Sequence, residues 1–345
     1  MKLTRKKFIA TLGMLAVGGL GLSGSVAAQA LEKQKVSIAV GGKNLFYYLP
    51  LTIAEQLGYF KDEGLQVEIS DFAGGAKALQ ALVGGSADVV SGAYEHTINM
   101  QTKGQPIKAF VLQGRAPQIV LGVSTKTMPN YKSLADLKGK KIGVTAPGSS
   151  TNMMVNFVLA SAGLKPNDVS IVGVGASSGA LAALRSGQID AIANLDPVIS
   201  MLEQKNEIKV IADTRTLKDT NTVFGGPMPA ATLYTTEAFL AKNPNTAQAL
   251  TNAMVRALKW VQQAGPSDII KVVPESFLLG DRGLYLEAYS KVREAISPDG
   301  YFPAAGPATA LKALQAFDPK MASEKVDLSK TYTNEMVKKA NAKYK

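Results

Sequence analysis

The sequence contains no cysteine and one histidine in 345 residues. The first absence excludes a disulfide, a thiol nucleophile and a lipid-modified N-terminal cysteine. The two together leave zinc without its usual ligands. No D-x-[DN]-x-[DN]-G loop offers calcium a cage, so neither metal nor cofactor is expected. Tryptophan occurs once, at Trp260, and long apolar runs are scarce. The one near the start, "FIATLGMLAVGGLGL" (8–22), is too short and glycine-rich to span a bilayer stably.

That run follows Arg5-Lys6-Lys7 and precedes "SGSVAAQA", with Ala28-Gln29-Ala30 as an A-x-A cleavage site. Basic, apolar and small-residue regions in this order read as a secretory signal, so residues 1–30 are assigned to a cleaved signal peptide. "TRKKFI" approaches a twin-arginine signal, but Lys6 stands where its second arginine would be, which favours the general route. The mature chain is expected to be periplasmic and monomeric, with no lipid anchor and no membrane insertion. Removing Lys2, Arg5, Lys6 and Lys7 lowers the formal net charge from +11 to +7, 34 basic against 27 acidic residues. The remaining lysines are scattered, and an exported protein is a poor partner for nucleic acid.

What the sequence does contain is a hidden repeat. "ALQALVGGSADVVSGAYE" (78–95) and "ALAALRSGQIDAIANLDP" (180–197) superpose without a gap at an offset of 102. Upstream, "GLQVEISDFAGG" (64–75) faces "GLKPNDVSIVGVGA" (163–176), and "KVSIAVGG" (35–42) faces "KKIGVTAPG" (140–148). Each copy reads strand, glycine turn, helix, strand, glycine loop, helix, G-x-x-D, strand. Such alternation implies βαβ units on a parallel sheet. An offset near a hundred residues is too long for a solenoid and predicts two similar α/β lobes. "PQIVLGVST" (117–125) and "VFGGPMPAATLYTT" (223–236) read as crossover strands between them. The tail is helical: in "NTAQALTNAMVRALKWVQQ", Ala247, Leu250, Met254, Ala257, Leu258 and Val261 share one face. Trp260 is read as packing in that helical layer. The division expected is 31–116 for the first part of lobe 1, 117–239 for lobe 2 with the crossovers, and 240–345 for helices returning to lobe 1.

Catalytic motifs fail one by one. Glu95 and His96 are adjacent and could move protons, but no nucleophile accompanies them. "GVTAPGSS" (143–150) has phosphate-loop glycine spacing, yet Ser149 stands where the lysine belongs. A nucleophile elbow would need glycine at 152, which is Asn152. What remains is a cradle: Gly148, Ser149, Ser150 and Thr151 lie where a strand end meets a helix start. Unpaired N–H groups and the positive helix end there favour a carboxylate, sulfonate or phosphate oxygen. N-capping by Ser150 or Thr151 is compatible with the same pattern. Similar turns occur at Gly74-Gly75 and Gly92-Ala93, and in parallel sheets they gather at one edge.

"YYLPLTIAEQLGYFKDEGLQVEI", "LQALVGGSADVVSG", "LADLKGKKIGVTAPGSST", "LRSGQIDAIANLDP" and "NPNTAQALTNAMVRAL" together resemble the periplasmic solute-binding proteins of nitrate/sulfonate/taurine-type ABC importers. They also resemble the thiamine-pyrimidine-precursor binding proteins. The resemblance covers nearly the whole mature chain. It implies a two-lobed α/β periplasmic-binding-protein fold of type II, each lobe a mainly parallel sheet flanked by helices. Two crossover segments hinge the lobes and a helical tail follows. It further implies capture of a small-molecule solute and delivery to a membrane permease with its ATPase. The ligand-contacting turns carried over are Asn44–Tyr47, Gly74-Gly75, Gly92–Tyr94, Gly148–Thr151 and Asn194–Asp196. Phe46, Tyr47 and Tyr94 suit an organic body behind an anionic head, and Arg115 is the candidate charge partner. Asp196 could accept a hydrogen bond from the solute or cap the next helix. The solute expected is a sulfonate or aromatic carboxylate, with a pyrimidine precursor as the alternative, or a sensor role without transport. Related pyrimidine synthases need a cysteine-rich iron motif, which this chain lacks.

Overall fold

The computed structural model describes residues 30–345. The expected signal peptide therefore lies outside the described residues, apart from Ala30. Ten strands are present among them: β1 (Lys35–Gly41), β2 (Gln66–Phe72), β3 (Val89–Ala93), β4 (Ile107–Leu112), β5 (Val120–Ser124), β6 (Lys141–Val144), β7 (Ser170–Gly173), β8 (Ala191–Asn194), β9 (Ile208–Asp213) and β10 (Ala231–Thr236). They form two five-stranded sheets, in the orders β2-β1-β3-β10-β4 and β7-β6-β8-β5-β9. Position by position the sheets match. β1 lies parallel between β2 and β3, as β6 lies parallel between β7 and β8. The fourth place in each sheet is filled by an antiparallel strand that has crossed from the other half of the sequence, β10 in the first and β5 in the second.

The repeat has a structural cause. Strands covered on both faces must be apolar along their whole length, and β3, β5 and β8 are buried at every residue. The aspartates that open β3 and β8 in the two copies do equivalent work. Asp88 Oδ2 accepts from Ser37 N at 2.9 Å, and Asp88 N donates to Ser37 O. Asp190 Oδ2 accepts from Lys141 N at 3.0 Å, and Asp190 N donates to Lys141 O. Each aspartate thus ties the strand it precedes to its parallel neighbour, so G-x-x-D is a register device.

The two crossovers run side by side. Gln113 N and Gly114 N donate to Ala231 O, and Ala230 N donates back to Gly114 O. The tail clamps this hinge. Arg115 N donates to Ala295 O, Ser297 N to Gln113 O, and the Glu294 carboxylate accepts from Leu217 N, at the start of a helix beside β9. The helical tail therefore packs on the first sheet and also bridges to the second half. Its longest helix, Pro244–Gln263, buries the predicted face against the helices Leu49–Gln56 and Glu335–Lys343. Trp260 is half-buried on that core. Among the described residues no helix is long and apolar enough to cross a membrane.

Candidate functional site

Parallel strands deliver their C-terminal ends to one edge, and here the two edges face each other. The loops after β1, β2 and β3 come from lobe 1, and those after β6, β7 and β8 from lobe 2. Where they meet, the helix Ser150–Ser161 points its first turn at the helix Gly75–Val83. Ser149 occupies the N-cap position, yet its hydroxyl caps nothing in its own helix. It accepts instead from Ala76 N of the other lobe, at 2.9 Å. Asn44 Nδ2 donates across to Ala176 O at 3.0 Å, and Phe46 N to Asp196 O at 3.3 Å. Gly74 makes the approach possible: a Cβ there would stand 2.8 Å from Ala146 Cβ and 3.0 Å from Ala146 N.

These contacts enclose a cavity lined by Leu45, Tyr47, Tyr48, Thr145, Ser150 and Thr151, with Gly41, Gly75, Ile119, Ser149 and Leu195 completing the wall. A water's centre has about 20 Å³ to move in, room for little more than one water. Any larger solute requires the lobes to part. No lysine or arginine is among the lining residues.

Of the residues expected at the site, Tyr47, Gly75, Ser149, Ser150 and Thr151 meet at this cavity. Thr151 Oγ1 accepts from Thr145 N at 3.1 Å and pairs with Thr145 Oγ1, so this hydroxyl braces the loop after β6 rather than capping. Gly148 N is held by Asn152 Oδ1. Gly74 and Asn44 serve the lobe contact. The other residues are directed elsewhere. Phe46 packs on Tyr285 and Tyr289 of the tail, with ring centroids at 4.5 and 5.9 Å. Tyr94 turns to Phe302, and its hydroxyl pairs with Thr331 Oγ1 at 2.6 Å. The bare face of Gly92 is covered by Tyr234, whose ring would lie 2.7 Å from a Cβ. Ala93 pairs with Ala231 inside the sheet. Arg115 Nη2 donates to Glu294 O at 2.8 Å within the hinge clamp. Asn194 is fully buried, bonding Gly175 O and Leu195 N. Asp196 Oδ1 accepts from Ser200 N at 2.8 Å, the capping alternative. Its Oδ2 lies 3.5 Å from Arg215, which also holds Glu203 and Asp213. Burial keeps Asp196 above the usual carboxylate range, against the pull of Arg215.

Leu45 and Leu195 fall within the turns expected from the resemblance, whereas the sequence did not single out Tyr48, Thr145 or Ile119 for the wall and left Glu95 and His96 open. Both are buried beside it, 3% and 2% exposed. Burial pushes the Glu95 carboxyl up to about 7, only partly offset by the Ser150 hydroxyl and its own backbone N–H. Burial takes His96 down to about 4, so its ring is neutral at pH 7. Its Nδ1 lies 3.0 Å from the hydroxyl of Tyr234 on β10. The signal that could have singled out Glu95 is a charged residue immediately after an apolar strand, where a helix N-terminus opens into the cleft.

Comparison with known proteins agrees with this architecture. Residues 45–266 match the family described as NMT1/THI5 like. A protein of known structure from Bordetella bronchiseptica RB50 is 65% identical, with a TM-score of 0.90, over 92% of this chain and 99% of that one. The alkanesulfonate-binding protein SsuA from Xanthomonas axonopodis pv. citri, bound to MOPS, superposes with a TM-score of 0.66 at 22% identity, over 88% of this chain and all of that one. The periplasmic nitrate-binding protein NrtA from Synechocystis PCC 6803 does so with a TM-score of 0.68 at 17% identity, over 92% and 90%. The chain thus belongs to the NMT1/THI5-like family and has the two-lobed fold of the periplasmic binding proteins.

Proposed function

We propose that the protein is the periplasmic substrate-binding component of an ABC importer, capturing a small organic solute between its lobes and handing it to a membrane permease. The observation that carries this reading is the meeting of two helix N-termini from opposite lobes around one cavity, joined by the Ala76–Ser149 hydrogen bond. A solute that touches both lobes stabilises the closed form by its differential affinity for that form. The permease then meets a shape whose population the solute raises.

The cradle suits an acceptor-bearing head, a sulfonate or carboxylate, at the first N–H groups of the helix Ser150–Ser161. Tyr47 and Tyr48 supply apolar area for an organic body. The moving bodies in this reading are the first sheet with the tail against the second sheet, so that β10, expected in lobe 2, moves with lobe 1. The resemblance of the fold to a sulfonate-binding protein supports the solute class. Nothing in the reading requires the protein to turn its solute over.

A thermal-shift and calorimetric screen of alkanesulfonates and aromatic carboxylates tests it. A ligand at a thousand times its Kd adds ~4 kcal/mol of stability. A panel that leaves the melting temperature unmoved, while pyrimidines raise it, transfers the assignment to a pyrimidine precursor. Solute turnover by the purified protein would overturn the binding-protein reading.

A further inference from the structure

Glu95 and His96 carry polar atoms at the cleft that the grip described above leaves over, as does the Tyr47 hydroxyl. Glu95 Oε1 and His96 Nε2 are buried and have no hydrogen-bond partner. They sit in the first turn of the helix Glu95–Gln101, at the end of β3. The Ser150 hydroxyl lowers the pKa of the Glu95 carboxyl and the Gly148 carbonyl raises that of His96, but neither reaches full hydrogen-bond geometry at Oε1 or Nε2. A Cβ on Gly75, a cavity-wall residue, would lie 3.5 Å from His96 Cε1 and 3.7 Å from the Tyr48 hydroxyl. The titratable neighbours are the phenols of Tyr47, Tyr48 and Tyr234, and Lys103 acts on His96 from further off. Among the described residues no cationic group acts on Glu95, and a buried acceptor left unmatched is costly.

We propose that Glu95 and His96 are the specificity-determining pair of the cleft, reading an N–H donor carried by the solute in addition to its acceptor head. The inference rests on the solute-binding reading and narrows it to nitrogen-bearing organic solutes. The solute's N–H donates to Glu95 Oε1. The Tyr234 hydroxyl, by donating to His96 Nδ1, leaves Nε2–H as a donor to an adjacent solute acceptor. A solute with acceptors alone would set its lone pairs against the Glu95 carboxyl and require that carboxyl to be protonated. Proton flux therefore separates the two cases. A donor ionises Glu95 and releases a proton, whereas a simple anion draws one in.

The test is titration calorimetry at pH 7 in buffers of different ionisation enthalpy, with matched probes: taurine against ethanesulfonate, 2-aminobenzoate against benzoate, and 4-amino-2-methylpyrimidine against 2-methylpyrimidine. The amino member of the binding pair should be tighter by about tenfold or more, the size of a hydrogen bond to a charged group, with proton release. Glu95→Gln should collapse that preference to within about threefold. Equal affinities, proton uptake by the amino probes, or a preference that survives Glu95→Gln would overturn the inference. The proton-flux measurement uses the unaltered protein, so a misfolded variant does not blunt the test. If ethanesulfonate or benzoate binds as well as its partner, the inference fails and the solute-binding reading stands. If no probe binds, both fail.

Discussion

Replacing Glu95 by glutamine keeps the shape of the side chain and removes its titration. Burial moves this carboxyl from 4.5 to about 7, so the folded protein holds a proton that the unfolded chain has already lost. Stability from the protonated form is complete below pH 4.5 and is lost as pH rises towards 7. A gap of that size is worth about 3 kcal/mol at 1.36 kcal/mol per unit. Glu95→Gln should therefore unfold with a free energy up to about 3 kcal/mol higher than the parent at neutral pH, and equal to it at pH 4.5. His96 tilts both proteins the other way. Its pKa falls from 6.5 to about 4 on folding, so its contribution is present above 6.5 and is lost as pH falls. The difference between parent and variant isolates Glu95. Urea unfolding at half-unit pH steps from 4 to 8 measures it, with the midpoint and slope compared at each step. A difference that is zero throughout, or the same at every pH, would show that Glu95 is not buried in the folded protein.

Gly74→Ala would place a methyl 2.8 Å from Ala146 Cβ, so the lobes must sit further apart. Solute affinity should fall while urea stability changes little, and small-angle scattering should show a larger radius of gyration. Ser149→Ala removes the acceptor for Ala76 N and should cost the closed form about 1 kcal/mol, read as a fivefold weaker solute affinity. Arg215→Met strands Asp196 beside Glu203 and Asp213 and should lower unfolding free energy by about 3–5 kcal/mol in urea.

The architecture was legible because its grammar is local. Apolar runs, glycine turns and the repeated G-x-x-D report strands and helices within a few residues, and the offset of 102 exposes the second copy. The candidate cavity was legible where a backbone turn defines its wall, as at Gly75 and Ser149–Thr151. It was illegible where a side chain's direction depends on distant sequence. Phe46 packs on Tyr285, Tyr94 on Phe302 and Thr331, and Arg115 on the Glu294 carbonyl 179 residues away. No pattern around 44–48 shows that the turn Phe46–Tyr48 sends one ring to the tail and two to the cavity. The same holds for Glu95, whose shift comes from burial by side chains distant in sequence.

Closure on a solute is the central claim, and the absence of cysteine makes it directly measurable. Lys77→Cys and Ala182→Cys place single thiols on exposed positions of corresponding helices in the two lobes. Fluorescence energy transfer between dyes at these sites, titrated with the solute found by the screen, reports the distance between lobes. Transfer should change saturably, with the same midpoint as calorimetric binding. Solute binding that leaves the transfer unchanged would contradict the account.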